Sequence, residues 1–257
     1  MIWLQPMAKS GEICKVVQEI SVDATKKLLI PGDAEATVRF AAEQIIEIAG
    51  QAIRQRGAFT LALAGGSTPK AIYQLLTSSP YKEQLDWTKV HIFFGDERAV
   101  SPDHPNSNYK MAMDSGFSTL PIPANQIHRM VAEVNIEENA LAYEKILPKQ
   151  LDLIMLGVGE DGHTASLFPE TAALTEKTRL VLANFVPQKK EMRMTLTYPC
   201  INSAAHTIFY LIGPSKSKIL LKVLGPSSTY PASLVGSKQR PALWVADLEA
   251  AAALIDK

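Results

Sequence analysis

The chain has 257 residues, enough to bury a substantial core as one large α/β domain or two small ones. It carries 26 basic and 26 acidic residues, so no global field attracts nucleic acid or an acidic membrane, and an anion site has to be built locally. No run approaches the roughly 20 apolar residues of a membrane span, and no signal peptide is recognisable at the start, so we predict a cytoplasmic protein.

Predicted helices alternate along the chain with short apolar runs that are typical of buried parallel strands. In chain order these are a helix over 33–56, a strand over 59–64, a helix over 69–76, strands over 90–94, 151–156 and 205–212, a helix over 215–223, a strand over 243–246 and a helix from 247. Asp33 is the predicted N-cap of the first helix, and Gly57 its end. Residues 102–123 are expected to form a surface excursion, and 170–200 remain ambiguous.

This alternation predicts a three-layer α/β/α fold with a mostly parallel, Rossmann-like central sheet. No linker divides the chain, so we predict a single domain over residues 1–257, with 1–15 as a candidate loosely ordered N-terminal extension. In such sheets ligands bind beyond the carboxyl ends of the strands, and every polar motif that follows a predicted strand is expected at such an end.

The first of these motifs is the turn Gly65-Gly66-Ser67-Thr68, which follows the strand over 59–64. Two glycines allow a ligand to approach the backbone, Ser67 and Thr68 can cap the following helix, and the amides at a helix N-terminus suit a phosphate. The same residues would also serve in an ordinary strand-to-helix turn. The motif is neither a P-loop nor a dinucleotide-binding turn.

The second motif, Gly157-Val-Gly-Glu-Asp-Gly-His163, follows the strand over 151–156. A histidine with an ordinary pKa near 6.5 can accept a proton from water, and Asp161 could hold one ring nitrogen while the other acts as base. Gly159 lies within this glycine-rich loop. A solvent-facing histidine in a flexible loop is the alternative interpretation.

Further candidate ligands lie elsewhere in the chain. Arg98, in Asp96-Glu97-Arg98, can hold a phosphate or carboxylate with paired hydrogen bonds, although a surface ion-pair cluster would look the same. Asn106-Ser107-Asn108-Tyr109 offers hydroxyls and amides for a sugar, or plain turn chemistry. Arg193 and Lys216 are candidate cations that are individually typical of solvated charges. The remaining side chains that we considered are assigned to structural or surface positions, namely Lys189, Lys190, His91, His104, His128 and His206.

Together these segments resemble the 6-phosphogluconolactonase family over nearly the whole chain. The matching stretches are LALAGGSTPKAIYQLL, HIFFGDERAVSPDHPNSNYKMA, DLIMLGVGEDGHTASLFPE, RMTLTYPCINSA, GPSK and YPASLV. The related glucosamine-6-phosphate deaminases resemble Ile-Ala-Phe-Asn-Glu-Pro after their histidine, whereas this chain reads Thr164-Ala-Ser-Leu-Phe-Pro169. The glutamate that helps ring opening in the deaminases is therefore absent.

The resemblance implies a phosphosugar-isomerase-like fold, no required cofactor, and hydrolysis of 6-phospho-D-glucono-1,5-lactone to 6-phospho-D-gluconate. It makes His163 the general base and Asp161 its orienting partner. Cations would bind the substrate phosphate. The implied substrate-binding set is Gly65, Gly66, Ser67, Thr68, Asp96, Arg98, Asn108, Gly159, Arg193 and Lys216.

Three other functions remain to be compared with this one: an isomerase or deaminase of amino sugar phosphates, a non-catalytic sugar-phosphate sensor, and a metal hydrolase. The metal hydrolase is the weakest, because no His/Asp/Glu cluster has ligand spacing. Cys14 and Cys200 also lack such spacing and are predicted to be reduced thiols. The expected partner is a small phosphorylated sugar lactone, with no nucleic acid or membrane, bound by a monomer or small homo-oligomer.

Overall fold

The computed structural model describes residues 18–255. The expected N-terminal extension over 1–15, together with Cys14, lies outside the described residues. Within the described part the chain forms two β-sheets and seven α-helices. The single-domain assignment for 1–257 stays a prediction.

Ten strands make up the two sheets. They are β1 (Gln18–Asp23), β2 (Lys26–Ile30), β3 (Phe59–Leu63), β4 (Val90–Phe94), β5 (Asp96–Arg98), β6 (Leu153–Leu156), β7 (Val181–Val186), β8 (Glu191–Leu196), β9 (His206–Leu211) and β10 (Ala242–Ala246). The larger sheet has seven strands in the order β1-β2-β10-β9-β6-β3-β4, and the smaller has the order β5-β8-β7. Only β1 is antiparallel to its neighbour in the larger sheet, whereas the smaller sheet is antiparallel throughout.

The helices cover both faces of the larger sheet. They are α1 (Ala34–Arg56), α2 (Ser67–Leu76), α3 (Asn108–Asp114), α4 (Ile136–Ile146), α5 (Tyr198–Ser203), α6 (Ser217–Val223) and α7 (Leu248–Ile255). Because both faces are covered, the central strands are apolar along their whole length: every residue of β6 and β10 is buried. No helix over residues 18–255 combines the length and the apolar character that a membrane span requires.

The predicted alternation of strands and helices is confirmed, with boundaries that differ by a few residues. The carboxylate of Asp33 caps α1 by accepting from the Ala36 amide at 2.9 Å, and Gly57 ends that helix in the left-handed conformation at φ 80°. Both groups do what their residue types favour at helix ends. The glycine-rich motifs after β3 and β6, and Lys216 after β9, lie at the carboxyl ends of their strands.

Three local expectations were wrong or incomplete. Gly66, not Ser67 or Thr68, is the N-cap of α2, because the helix begins one residue earlier than a side-chain cap would require. The stretch 102–123 is not a plain surface excursion, since it contains α3 and the buried Phe117, whose ring contacts Tyr73 edge-on. The ambiguous region over 170–200 contains the β7–β8 hairpin.

Candidate active site

A cavity of about 270 Å³ lies where the motifs after β3, β4, β6 and β9 meet. Parallel strands bring their carboxyl ends to one edge of the sheet, which is why motifs 90 residues apart in sequence become neighbours. Ten predicted site residues line the cavity: Gly65, Gly66, Ser67, Thr68, Asp96, Arg98, Gly159, His163, Arg193 and Lys216. Of the described residues that we predicted for the site, Asp161 and Asn108 lie outside the lining.

The turn after β3 presents backbone to the cavity. Gly66 has φ 109°, in the left-handed region that favours glycine, and α2 begins immediately after it. A Cβ at Gly65 would lie 2.1 Å from Oδ1 of Asn108, so a side chain here would displace that amide. The amides of Ser67 and Thr68 occupy the first turn of α2, where helix geometry provides no intrahelical acceptor. The turn therefore offers N–H donors to an anionic or carbonyl oxygen.

Asn108 supports this turn from behind. Its side-chain amide donates to the backbone carbonyl of Asp96 at 2.9 Å and to the Asp96 carboxylate at 3.1 Å. Its backbone amide donates to the buried Glu97 carboxylate at 2.8 Å. Its backbone and side-chain N–H groups are thus hydrogen-bonded within the protein, and a role for Asn108 in substrate binding stays a prediction.

Burial raises the pKa of Glu97, although the amides of Tyr109, Asn108 and Arg98 act in the opposite direction. The same carboxylate also accepts from Ser107 Oγ at 3.0 Å. Glu97 therefore ties the start of α3 to β5, a role that the sequence did not indicate.

His163 and Asp161 form a pair at the edge of the cavity. Nδ1 of His163 lies 2.5 Å from Oδ1 of Asp161, and the same oxygen accepts from the His163 amide at 3.2 Å. The loop is closed by a hydrogen bond from the Gly159 amide to the His163 carbonyl at 2.9 Å. Because a carboxylate accepts at Nδ1, that nitrogen carries the proton and Nε2 is the basic nitrogen.

The pKa values of the pair suit a neutral base beside an ionised carboxylate. Burial lowers the pKa of His163 below its ordinary value of 6.5, although the hydrogen bond and charge of Asp161 act in the opposite direction. Burial raises the pKa of Asp161, but the hydrogen bonds and charge from His163 outweigh it, so the net shift is downward. At neutral pH the imidazole is therefore uncharged and ready to accept a proton.

The three cations differ in what already surrounds them. The guanidinium of Arg193 hydrogen-bonds Glu191, with Nε at 2.8 Å, and its Nη1 lies 3.8 Å from Asp96, so two carboxylates offset its charge. Arg98 donates to the backbone carbonyl of Asn106, and Lys216 Nζ donates to the carbonyl of Val158 at 2.8 Å. Neutral carbonyls orient these last two side chains without cancelling their charge.

Sequence reasoning missed two buried residues that follow His163. Ser166 is held to all three strands of the smaller sheet, since its hydroxyl donates to Asp96 at 2.6 Å, its amide to Thr195 Oγ1 at 3.1 Å, and its carbonyl accepts from Asn184 at 2.9 Å. Phe168 stacks on the His163 ring with centroids 3.8 Å apart. The only signal in the sequence was their place in the Thr164–Pro169 segment that departs from the deaminase pattern.

No group of three or more His, Cys, Asp or Glu side chains within residues 18–255 is arranged to hold a metal ion. Cys200 is a buried free thiol whose pKa burial raises to about 12, so it is not a nucleophile at neutral pH. The polar groups at the cavity include one imidazole, three cations, the Asp96 carboxylate, the hydroxyls of Ser67 and Thr68, and the backbone amides of the turn after β3.

The fold is shared with proteins of known structure. The chain belongs to the family of glucosamine-6-phosphate isomerases and 6-phosphogluconolactonases, whose sequence profile matches residues 32–244. That match spans all of the cavity residues described above.

Individual relatives agree with the family assignment. A 6-phosphogluconolactonase of Chlamydia trachomatis is 41% identical over 234 residues, covering 88% of this chain and 90% of that protein. A 6-phosphogluconolactonase of a Nostoc species is 37% identical, covering 86% of this chain and 95% of that protein. The crystal structure of a 6-phosphogluconolactonase from Thermotoga maritima superposes with a TM-score of 0.73 at 29% identity, covering 87% of this chain and 99% of that one.

Proposed function

We propose that this protein hydrolyses 6-phospho-D-glucono-1,5-lactone to 6-phospho-D-gluconate, with His163 as the general base. The observation that carries the proposal is that the imidazole, with Nδ1 held by Asp161, lines the same cavity as Arg98, Arg193 and Lys216. Relatives that are named 6-phosphogluconolactonase and match most of the chain support the same substrate.

The first step is the attack of water on the lactone carbonyl. Nε2 of His163 takes a proton from the water as its oxygen bonds to C1, a form of assistance that is worth about 10²–10⁴-fold in rate. Negative charge develops on the carbonyl oxygen, and the amides of Ser67 and Thr68 are the candidate donors for it. A δ-lactone is an activated ester, so the step needs no covalent nucleophile.

The second step opens the ring. The tetrahedral carbon re-forms its carbonyl as the bond from C1 to the ring oxygen breaks, and protonated His163 returns its proton to that oxygen. The new carboxylic acid then loses its own proton to solvent at neutral pH. His163 ends in its starting state, neutral and hydrogen-bonded to Asp161.

The substrate phosphate, far from the reacting carbon, is held by the cations so that its binding energy orients the lactone. Arg98 and Lys216 supply most of this charge, because their present partners are neutral carbonyls. Arg193 contributes less net charge, since Glu191 and Asp96 offset it. A location in the cytoplasm and a monomeric or small oligomeric state stay predictions.

The test is an assay of acid release from lactone that a dehydrogenase generates in situ from glucose 6-phosphate. Spontaneous hydrolysis is appreciable, so the matched blank is the His163→Asn variant at the same protein concentration. We expect acid release well above both this blank and the protein-free rate. A wild-type rate equal to the spontaneous rate would reject the proposal.

Two parallel measurements address the other functions. Ammonia release from glucosamine 6-phosphate would indicate a deaminase; the fifth residue after His163, where the deaminase pattern carries glutamate, is Phe168 here. Tight binding of 6-phosphogluconate without turnover of the lactone would indicate a sugar-phosphate sensor.

A further inference from the structure

The His163 imidazole is enclosed by three neighbours, which we call the imidazole slot: Asp161, Phe168 and Gly159. Asp161 bonds Nδ1 in the plane of the ring. Phe168 stacks on the ring, and a side chain at Gly159 would collide with it.

Phe168 supplies a flat wall. Its ring and the imidazole are stacked at 16° with centroids 3.8 Å apart, and Phe168 is fully buried, with 0% of its surface exposed. A fully buried ring is fixed by the packing around it, so it constrains the tilt of any ring stacked on it. The guanidinium of Arg193 lies 5.5 Å from the centroid of the same phenyl ring.

Gly159 lies so close to the imidazole that no side chain fits between them. A Cβ there would lie 2.0 Å from Cε1 and 2.1 Å from Nδ1 of His163, and 2.8 Å from Oδ1 of Asp161. Its φ lies outside the left-handed region, so the backbone alone would accept an alanine. The imidazole, and not the turn geometry, requires glycine at this position.

Other glycines of the same loop have different requirements. Gly162 has φ 77°, and a Cβ on it would collide with Tyr230. At Gly157 a Cβ would meet nothing within 4 Å. Close approach to the imidazole is therefore a property of Gly159 rather than of a glycine-rich loop in general.

We infer that Gly159 and Phe168 are positioning residues, which together with Asp161 leave His163 one orientation from which Nε2 can act. The hydrogen bond to Asp161 selects which edge of the imidazole faces the carboxylate, and Phe168 and Gly159 restrict the two side-chain torsions that set the position and plane of the ring. The inference rests on the proposed lactone hydrolysis for its consequence in turnover. The geometry of the slot can be tested without it.

The decisive variant is Gly159→Ala, with Gly157→Ala as the matched comparison in the same loop. The new methyl at position 159 pushes the imidazole out of place, and a misplacement of about 1 Å can cost about 100-fold in turnover. We expect kcat to fall by about that factor, with a smaller change in KM. The methyl at position 157 enters open space and cannot contact the ring, so any effect there should fall on KM.

The spectroscopic measurement is an NMR spectrum of ¹⁵N-labelled histidine, which reports the tautomer and the ring-current shift of His163. We expect the wild type to show Nδ1 protonated and ring protons shifted by Phe168. Both signatures should change in Gly159→Ala and remain in Gly157→Ala. A Gly159→Ala protein with the wild-type His163 spectrum would overturn the inference, whatever its turnover.

Phe168→Leu tests the other wall and serves if Gly159→Ala does not fold. We expect kcat to fall about tenfold or more with a smaller change in KM, because the ring loses its stacked neighbour, while Asp161 keeps Nδ1 protonated. Turnover within about twofold of wild type would remove Phe168 from the slot. If wild-type protein lacks lactonase activity, the proposed function fails, while the spectra still decide whether the slot exists.

Discussion

A histidine and an aspartate lie close together near each end of β6, and the two pairs differ in their surroundings. At the carboxyl end, His163 is bonded to Asp161 and lines the cavity. At the amino end, Asp152 precedes β6, and His206 begins the neighbouring β9 and donates its amide to the Asp152 carbonyl at 3.0 Å. Burial lowers the pKa of both histidines.

The two pairs differ in the hydrogen-bond donors that the carboxylates of Asp152 and Asp161 accept from. The carboxylate of Asp152 accepts from the amide of Thr60 at 2.9 Å, from the hydroxyl of Thr60 at 3.0 Å, and from Arg56. These hydrogen bonds connect β3 to the start of β6. Asp161 is half-exposed, accepts from His163, and has no strand to join. A histidine beside an acid becomes a candidate base only where the acid is left to orient it and a cavity is left beside it.

The largest effect that separates the two ends is expected from the histidines. His163→Asn removes the base and should lower kcat at least about 100-fold, with little change in thermal stability. His206→Asn, at the other end of the sheet, should leave kcat near the wild-type value. Steady-state kinetics of the two purified variants measure the contrast, and near-normal turnover of His163→Asn would refute the base assignment.

Substitution of Asp161 should affect turnover, whereas substitution of Asp152 should affect stability. Asp161→Asn presents the wrong partner to Nδ1, so we expect kcat to fall by about 100-fold while unfolding is little affected. Asp152→Asn weakens three hydrogen bonds, one from an arginine, and should lower the free energy of unfolding by about 1–3 kcal/mol without changing kcat. Denaturant titration and kinetics on both variants check this, and equal loss of stability would erase the distinction.

Arg193 and Arg56, one near each end of β6, should differ in their effect on substrate binding. Arg193→Ala removes a cation from the cavity and should raise KM by about tenfold to a hundredfold, the equivalent of about 1.5–3 kcal/mol for hydrogen bonds to a charged group. Arg56→Ala, which removes the partner of Asp152, should leave KM unchanged. Initial rates over a range of lactone concentrations measure both. An unchanged KM for Arg193→Ala would exclude it from the phosphate site.

The smallest expected effects are on pH dependence, and they involve the histidines near both ends of β6. A general base acts in its neutral form, so the proposed role of His163 predicts that kcat/KM is level at neutral pH and falls about tenfold per unit below the pKa of His163, with a midpoint under 6.5. The unfolded chain binds protons near pH 6.5 that the buried histidines of the folded protein do not bind, so stability should also fall as pH drops below about 6.5.

The variant His206→Asn separates these two pH dependences. It should remove its own share of the stability loss, because the pKa of His206 is also lowered by burial. The midpoint of the activity profile should stay in place, since that belongs to His163. A shift of the activity midpoint in His206→Asn would contradict the assignment of the titrating group.

Much of the larger sheet was predictable, because its strands carry continuous apolar runs and its helices carry their own caps. Asp33 and Gly57 bounded α1 within a residue, and Val90–Phe94 was predicted with its observed bounds. The smaller sheet was not predicted. β5 is three residues long and β7 is partly exposed, so neither has a pattern that stands out from a loop.

The candidate site shows the same division. His163 and Lys216 follow strand ends, and that position together with the family resemblance made them candidates; both line the cavity. The partner of Asn108 could not be predicted, because an amide in a turn looks the same whether it binds a sugar or, as here, the Asp96 carbonyl. Phe168 was invisible as a neighbour of His163, since an apolar residue after a loop predicts only burial.

The sequence by itself determined the alternation of strands and helices, the edge of the sheet at which ligands gather, and the residue types available there. These follow from local patterns: apolar period, helix caps and glycine-rich turns. Only the tertiary structure decided which charges are offset, which histidine has a cavity beside it, and why Gly159 carries no side chain. Those outcomes depend on contacts between segments distant in the chain or on the path of a single loop, and no local pattern encodes such distances.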